Sequence, residues 1–327
     1  MTGQVDEYKG AIAMLKAMPA ELKLVIAGNH DLSLHRDYYL NGKNRTGELH
    51  ARMLDRRYDP TKVEDAEKLW TGSEAKAAGV TYLTEGLHTL KLSNGARFTI
   101  YASPWQPMFL NWAFNYPHNE DRWNNPSLVD YKTGHKGQPA IPAPRERDPH
   151  YIPEDVEVDV VMTHGPPWKH RDRCRDGYEA GCPHLLRALN RVRPRLHCFG
   201  HIHEAWGAER VTWSEERQRS IGASGSKDAS ILGETTEWII SDDSPGMNAK
   251  DDKVIAQRAV HLDVSNASDR PLKAGKETIF INSSIMTLSY RPEGAGWLVD
   301  LELPLDLGDA NETEPRYGVS TKEHTPN

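Results

Sequence analysis

The chain has few cysteines, no long apolar run and no basic surplus, and each shortage removes a class of protein. Three cysteines in 327 residues, Cys174, Cys182 and Cys198, form an odd set without CxxC spacing, which excludes a disulfide framework and a thiolate zinc knuckle from the expectations. Reduced thiols in or near a core are expected instead. No apolar stretch approaches the ~20 residues that span a bilayer, and the opening MTGQVDEYKG lacks the charged and apolar regions of a secretory leader. A cytoplasmic protein without a membrane partner is the expectation, so the NxS and NxT triplets at Asn266, Asn282 and Asn311 are discounted as glycan sites. The 40 Lys and Arg against 47 Asp and Glu leave a formal charge of -7 and a pI near 6.1. That balance disfavours long nucleic acid as a partner. There is no GxGxxG turn, no Walker-type phosphate loop and no internal repeat.

What is present is enough apolar residue, 38%, for one large α/β domain or two smaller ones. In DEYKGAIAMLKAMP, Tyr8, Ala11, Ile12, Met14, Leu15 and Met18 recur at helical spacing up to Pro19, which predicts an amphipathic helix feeding the strand LKLVIAG. A second helix is expected over 63–78, then short strands in TYLTEG, HTLKLSN and ARFTIYASPW. Residues 109–153, rich in Pro, Asn, His and aromatics, read as a long surface excursion. Regular structure resumes in VEVDVVMTHGPP, followed by a helix in HLLRALNRVRP and a strand in RLHCFGHIH. This alternation predicts a sheet with helices on its faces. The polar stretch 207–276, broken by TTEWII, reads as a partly disordered insertion. The strand ETIFINSS and the hairpin-like MTLSYRPEGAGWLVDLELP close the expected single domain at 306, and 307–327 reads as a disordered tail.

Three apolar runs end in similar punctuation: VIAG before Asn29-His30-Asp31, VVMT before His164-Gly165-Pro166-Pro167, and CFG before His201-Ile202-His203. In open α/β sheets, ligand-binding groups gather where strands give way to loops at their carboxyl ends. Imidazole, carboxylate and amide oxygen form a mixed N/O set suited to Mn, Fe, Zn or Ni, without choosing among them. His201 and His203 lie two apart, so an extended segment presents both rings on one face. Singly, each motif has a bland reading, since Gly, Asn and Asp are turn formers and a lone strand-end His is usually structural. Their joint occurrence favours a metal site. Asn282, at the end of the last core strand, either supports that site or satisfies buried backbone groups, and the second reading is preferred. Trp105, Phe109, Trp112 and Phe114 either wall a cleft or pack a core. His170, Arg171, Arg173 and Arg175 read as a solvated loop, with phosphate attraction as the alternative.

Together GNHD, THGPP, GHIH and INSS resemble the calcineurin-like metallophosphoesterases. VIAGNHDLSL, YASPWQP and FGHIHEAWG sharpen the likeness to the small metallophosphoesterase-domain proteins of fungi and animals. The resemblance implies a four-layer αββα sandwich and a two-metal, metal-dependent phosphoester hydrolase, acting on phosphodiesters or phosphomonoesters of small molecules or other substrates. It assigns Asn29, His164 and His201 to one metal and His203 to the other. By the same likeness His30 assists the leaving oxygen, Asp31 orients His30, and a metal-bridging hydroxide attacks in line.

The family pattern also opens with D-x-H and G-D motifs, and neither precedes Asn29. The expectation is therefore a sandwich lacking its first one or two strands, through a truncated gene model in preference to real loss. The chain as written is expected to bind metal weakly and hydrolyse poorly. A non-catalytic binding module and a degenerate single-metal relative are the alternatives.

Overall fold

Helix α1 (Val5–Lys16) buries Tyr8 and Ile12, one helical turn apart, and presents the polar residues between them to solvent. Its start is a reciprocal cap, in which the Gln4 N–H donates to the Glu7 carboxylate at 3.2 Å. Asp6 and Glu7 in the first turn and Lys16 in the last complement the helix dipole. The computed structural model describes residues 3–41, 59–129, 138–144, 151–214, 235–241 and 259–306. After α1 come β1 (Lys23–Val25), the short α2 (Arg36–Asn41), α3 (Thr61–Thr71), α4 (Ser73–Ala77) and β2 (Val80–Tyr82). The helix expected over 63–78 is thus two helices. The chain breaks at Gly72, where a side chain would put its Cβ 2.3 Å from the Lys68 carbonyl oxygen, a close approach that only glycine permits.

The hairpin β3 (Gly86–Lys91) and β4 (Arg97–Ser103) follows, then the two-residue strands β5 (Gln106–Pro107), β6 (Asn115–Tyr116), β7 (Glu120–Asp121) and β8 (Ile141–Pro142). Next are β9 (Val160–Thr163), α5 (Pro183–Val192), β10 (Leu196–Phe199), β11 (Gly207–Thr212) and β12 (Thr235–Ser241). The last three are β13 (Ala259–Asp263), β14 (Glu277–Asn282) and β15 (Gly296–Asp300). Seven of these strands form one mixed sheet in the order β12-β11-β14-β10-β9-β4-β3. The four central strands β14, β10, β9 and β4 run parallel, with Phe199 opposite Asn282, Cys198 opposite Met162, and Ser103 opposite Thr163. All six residues of β14 are buried, as a strand covered on both faces requires.

Period-2 alternation divides the side chains of this sheet between two cores. Tyr101, Val161, Phe199 and Phe280 face α5, whose Leu185, Leu186 and Leu189 fill the same cluster. Ile100, Ala102 and Val160 face the opposite way, against Leu22, Leu24 and Ile26 around β1. Ile279 and Ile281 meet Leu262, Trp297 and Val299 of the parallel pair β13–β15. Beyond the parallel pair β1–β2 lies a further helical layer, where Tyr8 and Ile12 of α1 pack on Ala66, Leu69 and Trp70 of α3. Helix, large sheet, small sheets and helices give the layering of an αββα sandwich. Among the described residues no helix is long and apolar enough to cross a membrane.

Two expectations change. The stretch 109–153 is surface only in part: Phe109, Leu110 and Ile141 are exposed, whereas Ala113, Tyr116, Glu120, Asp121, Arg122 and Trp123 have no exposed surface. Its polar residues are buried because they are paired. Arg122 donates to Glu85 at 2.7 Å and to Glu120 at 3.3 Å, with its guanidinium 4.1 Å from the Trp105 ring centroid. Asp121 accepts from Arg187 and from Asn124. Likewise the polar insertion expected over 207–276 begins with β11, a buried strand between β12 and β14, and TTEWII falls on β12. The rest of that insertion's centre (215–234 and 242–258), parts of the excursion (130–137 and 145–150) and the tail 307–327 lie outside the described residues.

Removing the buried guanidinium takes the counter-charge from Glu85 and from the fully buried Glu120. Arg122→Ala is therefore expected to lower the unfolding free energy by roughly 3–5 kcal/mol. Arg175→Ala, on an exposed turn, should change it by less than about 0.5 kcal/mol. Urea denaturation followed by circular dichroism reads both, and equal losses would contradict the pairing argument.

Candidate metal centre

Strand β1 leads through Ile26 and Ala27 into Gly28 and Asn29. Gly28 is the residue that lets this strand end approach another, since a Cβ there would lie 2.7 Å from His164 Cε1 and 2.8 Å from its Nδ1. Asn29, only 4% exposed, brings its Oδ1 to 3.0 Å from His164 Nε2. The Asp31 carboxylate accepts the Gly28 N–H at 2.7 Å, which closes the turn from which His30 projects. His164 leaves β9 with its N–H donated to the Ser103 carbonyl at 3.0 Å, and Gly200 donates to the His164 carbonyl at 3.0 Å. The sheet's hydrogen bonding thus runs on past the strands and sets these loops side by side. The His164 and His201 rings meet edge to face with centroids 4.8 Å apart.

His201 has φ of 69°, and Ile202 N–H donates to the Gly200 carbonyl at 2.8 Å. This is the rarer form of γ-turn, with a non-glycine residue at its centre. Such a conformation costs on the order of 1–3 kcal/mol and persists only where its surroundings over-determine it. His203 sits just beyond, with Nδ1 3.3 Å from the Thr287 carbonyl oxygen. A hydrogen bond there would direct the other ring nitrogen away from the backbone.

Burial governs the charge state of the cluster. His164 is pushed well below the usual imidazole value by burial first, then by His201, His30 and His203. His201 is lowered to about 4 by burial first, then by His203 and His30. Both rings are neutral at physiological pH, with the lone pairs a metal requires. Asp31 is raised to about 6 by burial, opposed by the Gly28 N–H.

The four aromatic residues divide. Trp105 and Phe114 pack edge to face with centroids 5.7 Å apart, and both lie against His35. Trp112 instead covers His30 at 4.1 Å, and Phe109, 53% exposed, stands 5.9 Å from His201. Opposite, the exposed Tyr290 lies 6.3 Å from His203. Thr287 and Tyr290 belong to a segment that sequence reasoning reads only as a hairpin, and nothing local to MTLSYRPEG signals their place. The loop expected to be solvated at His170 and Arg171 is buried at those two positions. His170 Nδ1 pairs with Glu209, and Arg171 lies 3.8 Å from the same carboxylate. Arg173 and Arg175 remain exposed. The cysteines are free, as expected, and burial raises Cys182 and Cys198 to about 11.

An amide oxygen and an imidazole nitrogen 3.0 Å apart match two neighbouring ligands on one ion, since ligands at about 2.1 Å in adjacent octahedral positions are separated by about 3 Å. Asn29 and His164 thus present neighbouring oxygen and nitrogen donors, with the His201 ring beside them. Among the described residues no group of three or more His, Cys, Asp and Glu side chains stands close enough to hold a metal, at this place or any other.

The family profile described as Calcineurin-like phosphoesterase matches residues 3–205. All six residues discussed between Asn29 and His203 as ligands or acid–base groups fall inside it. Metallophosphoesterase domain-containing protein 1 of Homo sapiens is 30% identical over 210 residues, covering 63% of this chain and 52% of that protein. The Mus musculus protein of the same name matches equally. A UPF0046 protein of Caenorhabditis elegans is 30% identical over 209 residues, covering 63% of this chain and 44% of its own length. The chain spans about half the length of the curated relatives it matches.

Gly28→Ala is expected to lower stability by roughly 1–3 kcal/mol through overpacking and to displace the His164 ring signals in a proton NMR spectrum. Gly10→Ala has open space around its Cβ in mid-helix and should raise stability by about 0.8–1 kcal/mol. A Gly28→Ala protein as stable as wild type, with unshifted His164 signals, would remove the close-approach argument.

Proposed function

Because the chain belongs to the calcineurin-like phosphoesterase family, we propose that it hydrolyses phosphoesters with divalent metal, using Asn29, His164, His201 and His203 as metal-site residues and His30 as acid. The observation that supports this reading most is the contact of Asn29 Oδ1 with His164 Nε2 at 3.0 Å, across 135 residues of sequence, beside the His201 ring. A divalent ion supplies charge neutralisation for the phosphate and acidification of a water molecule. The chain's own residues do the rest. Neutral His164 and His201 offer nitrogen lone pairs without first releasing a proton, and Asn29 adds an uncharged oxygen. His30, held on the Trp112 face by the turn that Asp31 closes, donates its proton to the departing ester oxygen. Trp112 covers one face of the His30 ring during that step.

Among the described residues, a donor set with one amide and two imidazoles, and His203 for a second ion, supports slow turnover and uptake of close to one ion per chain. Substrates of the phosphodiester and phosphomonoester classes both fit this chemistry.

His30→Ala is expected to lower kcat for bis(p-nitrophenyl) phosphate about 10²–10⁴-fold, the usual contribution of a positioned acid, without changing metal content measured by atomic emission. Chelation by EDTA should abolish turnover, and added manganese should restore it. No turnover of this diester or of p-nitrophenyl phosphate above a metal blank would favour a non-catalytic binding module. Two ions per chain with rapid turnover would overturn the single-ion account.

A further inference from the structure

Asn282 lies outside the span matched by the family profile, at the carboxyl end of β14, with no exposed surface. Its side chain makes one acceptor and two donor contacts. The Oδ1 accepts the Ser284 N–H at 3.0 Å, and the Nδ2 donates to the Arg171 carbonyl at 3.0 Å and to the Ile202 carbonyl at 2.9 Å. The preference for backbone satisfaction at this position therefore holds, and the identity of the two carbonyls gives it a consequence. Arg171 belongs to the loop that follows His164, and Ile202 is the residue between His201 and His203. One buried amide ties the loop beyond one candidate ligand to the peptide that joins the other two.

Ile202 closes the γ-turn at His201 through its N–H, and its carbonyl, which Asn282 grips, leads directly out of that turn, which requires outside support. Support comes from Gly200 donating to the His164 carbonyl, from Ala205 N–H bonding the Ile202 carbonyl at 3.2 Å, and from Asn282. Of these, the Asn282 side chain is the contact that substitution can remove without altering the turn's own sequence. Register places it there, since Asn282 pairs with Phe199, the last residue of β10 before the turn. Asp at this position would offer acceptors to two carbonyls, and Leu would remove the side-chain donor from both.

We propose that Asn282 is a positioning residue that fixes the His201–Ile202–His203 turn, and through it the presentation of His201 and His203 to the metal site, without touching metal or substrate. The inference rests on the metal-site reading of these histidines. Outer partners that orient metal ligands typically carry 10–100-fold in metal affinity, whereas a merely structural amide would alter stability alone.

The test measures cobalt(II) binding to the full chain, with affinity from chelator competition and ligand geometry from the visible absorption spectrum. Asn282→Ala is expected to weaken binding about 10–100-fold and change the spectrum; Asn282→Ser serves the same purpose if the alanine variant does not fold. Thr278→Val provides the control. Thr278 is buried on the same strand, where its hydroxyl bonds Pro194 and Trp213, so the variant should lose stability while keeping wild-type affinity and spectrum. In the metal-free protein, Asn282→Ala should also shift the ring signals of His201 and His203 but not those of His261, on β13. Wild-type affinity and spectrum in Asn282→Ala would overturn this proposal alone. Wild-type protein that takes up no cobalt would overturn the metal reading, and this inference with it.

Discussion

The parallel pairing of β4, β9, β10 and β14 is the constraint on which the rest of the molecule depends. Parallel strands carry their carboxyl ends to one edge of a sheet, so Ser103, Thr163, Phe199 and Asn282 finish side by side. The loops that leave this edge inherit its spacing of about 4.8 Å. His164 and His201 come together because neighbouring strands deliver them, and backbone hydrogen bonds from His164 N–H to Ser103 and from Gly200 N–H to His164 extend the register into the loops. Asn29 arrives from a different, two-stranded sheet. It reaches His164 because Gly28 has no side chain to prevent the approach.

The same sheet explains why so many charges are inside. Arg122, Glu120 and Asp121 are buried beside the face that packs on α5, and each has an opposite charge in contact. His170 and Arg171 meet Glu209 in the same manner. A paired buried charge adds little net stability, but an unpaired one is strongly unfavourable. These networks therefore hold irregular segments to one arrangement where few apolar residues are available to do so.

The chemistry of the candidate site was legible in sequence because it is written locally. A hydrophobic strand followed by Gly, Asn and His, or by Gly-His-x-His, is a pattern of adjacent residues; helix α1 follows from helical spacing, and the strands β1, β4, β9, β10 and β14 from short apolar runs. The misreadings share one cause. Arg122, His170, Arg171 and Glu209 look like surface residues because composition cannot show that a partner lies 37 to 39 positions away. The break at Gly72 was invisible for a related reason, since helical spacing continues across it while the backbone turns against Lys68.

Sequence by itself determined the donor types, the strand ends that carry them and the family to which the chain belongs. Only the tertiary structure decided that Asn29 touches His164, that Trp112 and not Trp105 covers His30, and that Asn282 grips the peptide between His201 and His203. The physical reason is reach. Residue type and spacing set what a side chain can bond, whereas partners 80 to 135 residues apart meet only after the strands between them have paired in register.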